Sequence, residues 1–279
     1  MALTIKNRSI VKNITVIFLL AAITLLGSSS DANLMEYKVR KVIIDAGHGG
    51  RDPGGLGSFA KEKDVALKVA LKLGGYIEKY LDDVEVVYTR KSDHFVELDN
   101  RAEIANKNNA DVFISIHANI APWSSKVHGT ETYVMGLDKT QKNLEVAKRE
   151  NAVILLEENY EEKYEGFDPK SDESLILFEL YQSAYRDNSL MLAANIEDQF
   201  KNRVGRKSRG VKEAPFWVLW RTSMPSVLVE VGFLSNPTEE KYLTDDHNQS
   251  LIASGIFRAF RDYKNQIESV NANSSKSSN

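Results

Sequence analysis

Two histidines and two glutamates stand where a metal-dependent hydrolase would need them. His48 lies in a glycine-rich turn that follows a short apolar strand, and His117 lies near the end of another apolar strand. Glu62 immediately precedes an amphipathic helical stretch, and Glu230 interrupts a run of valines and leucine. Two imidazoles and one carboxylate can hold a catalytic zinc ion with an open fourth position, and a second glutamate can then act as general base.

Each of these residues also has an ordinary structural explanation. His48 can be a turn histidine bonded to nearby backbone, and His117 a satisfied core histidine. Glu62 can complement a helix dipole, and Glu230 can form a buried ion pair with Arg221. The spacings are long and the chain contains no His-Glu-x-x-His helix, so the residues alone leave both interpretations open. The other histidines lie in polar segments and are expected at the surface: His94, His128 and His247.

Alternating strand and helix patterns provide the frame that must position these residues. The strands expected from apolar runs are 42–44, 84–88, 112–116 and 227–231, and the expected helices are 63–81, about 99–108 and 252–267. This order predicts a single α/β domain with a twisted, mostly parallel or mixed central sheet flanked by helices. Functional groups of such sheets gather at the carboxyl ends of the strands.

The composition excludes several classes of protein. The chain has 279 residues, a net charge of −3 and 42% hydrophobic residues, which is ordinary for a globular protein and argues against several membrane spans. Its mild acidity argues against a dedicated nucleic-acid binder. Because it contains no cysteine, it has no disulfide, iron–sulfur cluster or thiolate nucleophile. Any metal site must therefore use His, Asp and Glu.

The two ends of the chain have their own patterns. A basic start is followed by an apolar run at 14–26 and then by glycine and serines, which predicts a secretory signal peptide over residues 1–30. A retained membrane anchor is the alternative, but the run is short for a span of about 20 residues. We therefore expect an exported protein without a stable membrane span, a catalytic domain over 37–268, and a disordered tail over 269–279.

Residues 141–186 break the α/β alternation. This stretch is compatible with helix and carries six Lys and Arg against eleven Asp and Glu. A basic cluster between 201 and 212 follows, which we interpret as a solvated loop. The acidic stretch is interpreted as a helical insertion, with a solvated helical face as the plainer alternative.

Four ordered segments together resemble a known family. They are VIIDAGHGG with the following DPG (42–54), EKD (62–64), SIHAN (115–119) and VEVGFLSN (229–236). The chain resembles the zinc-dependent N-acetylmuramoyl-L-alanine amidases of bacterial cell-wall turnover from about residue 41 to residue 260. The resemblance implies that His48, Glu62 and His117 bind zinc and that Glu230 is the catalytic glutamate. Thr89, Arg90 and Arg101 also resemble family positions, for structure or substrate orientation.

The resemblance implies zinc-dependent hydrolysis of the amide between N-acetylmuramic acid and L-alanine in peptidoglycan. The alternatives are a zinc peptidase that cuts within the stem peptide and an inactive wall-binding protein. We expect peptidoglycan as the partner, no nucleic acid, and a secreted, periplasmic location. Cell-division amidases of this family are similar in carrying an inserted helix at the position of residues 141–186, which a partner protein releases. A glutamate of 141–186 is therefore expected to occupy the open zinc position, while a substrate-groove wall and a solvated decoration remain alternatives.

Overall fold

A computed structural model describes residues 38–136, 140–171, 174 and 184–277 of the chain. Lys38–Val270 form one compact unit, and the described residues 271–277 fall outside it. The expected signal segment 1–30 thus lies outside the described residues. Within the described ranges, no helix combines the length and the apolar character that a membrane crossing requires.

A mixed sheet forms the centre of the compact unit. Its strands are β1 Lys41–Ala46, β2 Glu85–Tyr88, β3 Val112–Asn119, β4 Thr130–Met135, β5 Ser208–Ala214 and β6 Ser226–Phe233. Among the described residues the order across the sheet is β2-β1-β3-β6-β4-β5. All neighbours are parallel except β6 and β4, which are antiparallel. This confirms the predicted α/β class with a mixed central sheet.

In the part of the chain that the structure describes, six helices lie between these strands in sequence, and two more follow β6. They are α1 Glu62–Tyr80, α2 Leu98–Lys107, α3 Gln141–Asn151, α4 Tyr160–Lys163, α5 Arg186–Gln199, α6 Trp217–Trp220, α7 Pro237–Thr244 and α8 Asp246–Ser277. A 3₁₀ turn, Ala152–Leu156, follows α3, and a π-helical turn, Phe200–Val204, follows α5.

The sheet separates two hydrophobic cores. On one face, apolar residues of α1, α5 and α8 pack against alternate residues of the strands, such as Ile44, Ile114 and Val229. On the other face, residues of α2, α3 and α6 pack against Ile43, Phe113 and other intervening strand residues. Because side chains alternate across a strand, each central strand contributes to both cores, which explains its nearly continuous apolar sequence.

Three features differ from the sequence predictions. The strands β4 and β5 were not expected, because their sequences TETYVM and SRGVKEA are polar and lack an apolar run. The insertion 141–186 is only partly helical where it is described, since 157–171 consists of turns and irregular backbone apart from the short helix α4. The closing helix α8 continues to Ser277, into the segment for which disorder was predicted. No glycine or proline interrupts that segment, and extending an existing helix costs little.

Candidate metal centre

The candidate site lies at the carboxyl ends of β1, β3 and β6. His48 follows β1 by two residues, and Glu62 is the first residue of α1. His117 on β3 is the direct neighbour of Glu230 on β6. A fourth acidic residue, Glu150, reaches the same place from the last turn of α3. The chain thus brings together the histidines and glutamates that the sequence analysis singled out, and adds one from the insertion.

The turn after β1 is built around a close approach of backbone and imidazole. His48 has a φ angle of 59°, a left-handed conformation that is uncommon for residues other than glycine. A Cβ atom on Gly47 would lie 2.5 Å from the His117 ring, so only glycine leaves room for that ring. Strain of this kind persists only where the surrounding structure fixes it.

Two buried arginines hold this turn in place. Arg90 donates hydrogen bonds to the carbonyl oxygens of Ala46, Gly47 and Lys63 at 2.7–2.9 Å. Arg101 donates to the carbonyl oxygens of Ala46 and His48, both at 2.7 Å. Both arginines therefore act on the backbone that carries His48, which agrees with the structural role expected for them.

Arg101 is itself anchored by a buried carboxylate. Its Nη1 lies 2.7 Å from the Asp45 carboxylate, which also accepts hydrogen bonds from the hydroxyls of Thr89 and Ser115 at 2.6 Å. Burial favours the neutral acid, but the charge of Arg101 and the two hydroxyls hold the pKa of Asp45 below its ordinary value. The Asp45 carboxylate thus connects β1 to β3, to α2 and to the residue that follows β2.

Four potential ligand atoms meet above this layer. His48 Nε2 lies 3.2 Å from Glu62 Oε2 and 3.1 Å from Glu150 Oε2, and His117 Nδ1 lies 3.0 Å from Glu62 Oε1 and 3.1 Å from Glu150 Oε2. One ligand atom from each of these residues lies within 4.8 Å of all the others. Ligands about 2.1 Å from a tetrahedral zinc ion lie roughly 3.4 Å apart. The spacing therefore fits a metal ion.

The orientation of the donors agrees with that fit. Asp52 Oδ2 lies 2.7 Å from His48 Nδ1, which fixes the ring and directs Nε2 into the cluster. Among the described residues His48 Nε2 and Glu150 Oε2 have no hydrogen-bond partner, although both are buried. Glu62 accepts backbone hydrogen bonds from Gly55 and Ala118 at 2.6 and 2.9 Å, so its carboxylate is held in one position.

The buried carboxylates of the cluster favour a positive charge among the ligand atoms. Burial opposes protonation of His48, but the negative charge of Glu62 and a hydrogen bond to Asp52 raise the pKa of the imidazole well above its ordinary value. Burial favours neutral Glu62, whereas the charge of His48 lowers its pKa to about 2. Without a metal ion, protons on the two imidazoles balance the charge of the carboxylates. With a metal ion bound to the same nitrogens, the ion supplies that positive charge.

Glu230 is fully buried, and both of its carboxylate oxygens lack a partner among the described residues. Burial and the charges of Glu62 and Glu150 raise the pKa of Glu230 well above its ordinary value. The ion pair with Arg221 that was considered from the sequence does not form, because Arg221 lies beside Asp99 at 3.3 Å. An unpaired buried carboxyl group is costly, and such groups cluster at functional sites.

Contacts on both sides of Glu150 hold the insertion against the site. Arg149 donates to Asn119 Oδ1 at 2.8 Å, and Asn151 Oδ1 accepts from the Trp217 backbone at 2.9 Å. Farther along, Glu157 accepts from the Leu98 backbone nitrogen at 2.9 Å, at the start of α2. The insertion therefore covers the face of the sheet on which the ligand atoms lie.

Sequence reasoning missed two contributors. Glu150 is one of many acids in its segment, and no local pattern separates it from the others. Asp52 stands four residues after His48, and that spacing within a glycine-rich turn was the only available signal for its role. The three histidines expected at the surface are indeed exposed: His94, His128 and His247.

Comparison with known proteins identifies relatives of this chain in sequence and in structure. E. coli AmiA, an N-acetylmuramoyl-L-alanine amidase, is 33% identical over 241 residues, covering 85% of this chain and 80% of AmiA. The N-acetylmuramoyl-L-alanine amidase of Clostridium difficile 630 has a similar structure, with a TM-score of 0.61 and 28% identity over 81% of this chain and 97% of its own.

The amidase CwlD of Clostridioides difficile, solved in complex with the GerS lipoprotein, gives a TM-score of 0.59 at 29% identity, over 80% of this chain and 98% of CwlD. The sequence profile of the N-acetylmuramoyl-L-alanine amidases matches residues 42–262. The chain therefore belongs to the N-acetylmuramoyl-L-alanine amidase family.

Proposed function

We propose that this amidase is zinc-dependent, with His48, Glu62 and His117 as the protein ligands and Glu230 as the catalytic glutamate. It hydrolyses the amide between the lactyl group of N-acetylmuramic acid and L-alanine in peptidoglycan. The observation that carries the proposal is the convergence of buried imidazole and carboxylate ligand atoms beside an unpaired buried carboxyl group. Two His and one Glu form a common ligand set of catalytic zinc.

The roles of the residues follow from their surroundings. When bound, zinc supplies Lewis acidity that activates water and polarises the scissile carbonyl. Asp52 keeps the Nε2 lone pair of His48 directed into the site, and two backbone amides fix the Glu62 carboxylate. Glu230, adjacent to His117 on the next strand, accepts the proton of the attacking water and passes it to the departing amine of L-alanine.

We further propose that the insertion silences this site through Glu150. Its Oε2 atom lies among the potential ligand atoms and would take the position that a catalytic water needs. An activator protein would then relieve the block by displacing the last turn of α3, which carries Glu150, from the ligand atoms. The complex of CwlD with the GerS lipoprotein supports this idea, since it shows that a similar amidase associates with another protein. The basic and apolar N-terminal sequence supports a secreted, periplasmic location.

Digestion of purified sacculi followed by mass analysis of the products tests the proposed reaction. The amidase reaction releases stem peptides that begin with L-alanine and leaves peptide-free glycan. A peptidase would leave L-alanine on the sugar, and an inactive wall-binding protein would release nothing. The Glu150→Ala variant is digested in parallel, so that inhibition by the insertion is not mistaken for inactivity. The Glu230→Gln variant serves as the inactive control.

A further inference from the structure

A positively charged groove lies next to the candidate metal centre, on the other side of Asn119. It is a shallow groove that encloses about 360 Å³, open solvent included. Its walls come from α3, from β4 and β5, and from the loop that follows β3. The lining includes three cationic side chains and a single carboxylate: Lys142, Arg209, Lys212 and Glu131.

An irregularity in β5 brings two of the cations together. In a regular strand, residues three apart face opposite sides of the sheet. Between Thr130 and Thr132 of β4, however, the paired residues on β5 advance from Ser208 to Val211, so β5 contains one extra residue. Gly210 supplies the left-handed backbone that this bulge needs, with a φ angle of 86°. As a result, Arg209 and Lys212 both reach the same side of the sheet.

These two cations meet a single buried acid. Arg209 Nε donates to Glu131 Oε1 at 2.6 Å, and Lys212 Nζ donates to the same oxygen. The other oxygen, Oε2, accepts from the Tyr133 hydroxyl at 2.8 Å. Burial favours neutral Glu131, but Lys212 and Arg209 hold its pKa below the ordinary value. One cation suffices to neutralise Glu131, so the groove keeps a surplus of positive charge.

The surplus charge is accessible from solvent. The side chains of Arg209 and Lys212 are 29% and 21% exposed, and Lys142 is exposed on α3. Arg209 donates to Glu131 through Nε, and no hydrogen bond of its terminal nitrogens is found among the described residues. The guanidinium also lies 5.4 Å from the centre of the Phe233 ring, a position that limits its rotation. A guanidinium and two ammonium groups around a groove match a carboxylate ligand.

The groove is within reach of a substrate held at the metal centre. Asn119 lines the groove and lies two residues beyond His117 on β3, a distance of about 7 Å along the strand. Glu131 of the groove is the direct neighbour of Glu230 across β4 and β6. An extended peptide covers about 7 Å with two residues. A peptide that begins at the scissile amide therefore reaches the groove with its second or third residue.

We propose that Arg209, Lys212 and Lys142 form a subsite for a carboxylate of the peptidoglycan stem peptide, two to three residues beyond the scissile amide. This inference rests on the proposed function, because it takes the position of the amide from it. The basic residues of β5 are then a specificity element of the amidase and not the solvated loop expected from the sequence. The subsite favours stem peptides with free carboxylates over their amidated forms.

Calorimetric binding of two synthetic peptides to the zinc-loaded protein tests the subsite. One is the stem tripeptide L-alanyl-γ-D-glutamyl-L-lysine, and the other is the same peptide with every carboxylate converted to an amide. The acidic peptide is expected to bind at least about tenfold more tightly. Arg209→Gln and Lys142→Gln should each weaken its binding by about tenfold and leave the amidated peptide unaffected. Equal binding of the two peptides by the wild-type protein, or no change in Arg209→Gln, overturns the proposal.

Two further variants separate a binding role from a structural role. Lys207→Gln is the matched control, because Lys207 is exposed on the same part of the chain and does not line the groove. Glu131→Gln should bind the acidic peptide more tightly, since it frees the two cations, whereas ion pairs with only a structural role would give a lower melting temperature and unchanged affinity. Binding is measured without turnover, so a failure of the subsite and a failure of the amidase reaction on sacculi give separate results.

Discussion

Replacing Glu150 by alanine is expected to activate the enzyme. Glu150 is 5% exposed, and its Oε2 lies 3.1 Å from His48 Nε2 and 3.1 Å from His117 Nδ1. The substitution removes the carboxylate from the cluster and keeps the high helix propensity of the position. The site then retains the three proposed ligands and gains an open position for water.

The size of the activation follows from the contacts that are lost. Glu150 Oε2 lies at ion-pair distance from both imidazoles, 3.1 Å each, although neither contact counts as a hydrogen bond. With about 1.5 kcal/mol for each contact, the lower end of the range for interactions with charged groups, the two contacts hold the inhibitory carboxylate with about 3 kcal/mol. Because 1.4 kcal/mol corresponds to a factor of ten, the open form would be populated about 100-fold less than the closed form. Glu150→Ala is therefore expected to raise basal kcat/KM by up to about 100-fold.

Release of soluble peptide from purified peptidoglycan, at saturating zinc and without any partner protein, measures this effect. Glu145→Ala is the matched control, because Glu145 is exposed on the same helix and, within the described part of the chain, its carboxylate accepts a hydrogen bond from Gln141 alone, at 2.8 Å. Zinc content and melting temperature are measured for every variant. If the Glu150→Ala protein is folded and zinc-loaded but has the wild-type rate or a lower one, the insertion does not inhibit the enzyme. A role of the insertion as a groove wall or as a solvated decoration would then explain the result better.

Four further perturbations follow from the structure. His117→Ala should lose tightly bound zinc, measured by metal analysis after dialysis, together with all activity. Glu230→Gln should keep its zinc and lose about 10²–10⁴-fold in turnover, because the amide cannot accept a proton. Asp45→Asn should lower the free energy of unfolding by about 3 kcal/mol near neutral pH, since Arg101 loses its charged partner. Glu157→Gln should loosen the insertion and raise basal activity less than the change at Glu150 does.

The contribution of Asp45 also has a defined pH dependence. Its pKa in the folded protein lies below the unfolded value of about 3.9. The stabilisation is therefore fully present above pH about 3.9 and is lost as the pH falls through the folded pKa. Urea unfolding should show that the difference in free energy of unfolding between the wild type and Asp45→Asn becomes smaller below pH about 4. A stability difference that does not change with pH would contradict this role of Asp45. Full zinc retention by His117→Ala would contradict its assignment as a ligand, and near-normal turnover of Glu230→Gln would contradict its catalytic role.

The sequence predicts those parts of the fold that have strong local patterns. The central strands and α1 are identified because their apolar residues repeat with the periods of strand and helix. The strands β4 and β5 carry Glu131, Arg209 and Lys212 in place of an apolar run, and their pairing depends on partners distant in sequence. Which glutamate of the insertion reaches the ligand atoms depends on how α3 packs on the sheet. No local sequence pattern contains that information, so Glu150 could not be predicted.

The same distinction applies to the candidate site. Glycines around His48 and the charge within the β6 strand are local signals, and both pointed to the residues that the fold brings together. The basic stretch between 201 and 212 was expected to be a solvated loop, but its last residues form β5, and the faces of their side chains depend on a single extra residue in that strand. That residue changes which side chains share a face, and charge composition carries no information on it.

The meeting of four chain segments at the ligand atoms also makes a bound cation a cross-link for the insertion. Glu150 would connect α3 to the sheet through the ion, whereas without the ion the protonated imidazoles of His48 and His117 hold the Glu150 carboxylate. The attachment of α3 to the sheet would then strengthen as metal occupancy rises. The zinc concentration would therefore determine both how many molecules can become active and how tightly α3 is held over the site. Chelation should accelerate hydrogen exchange in residues 141–151 while leaving β3 protected, and equal protection of α3 with and without zinc would show that protein contacts alone hold the cover.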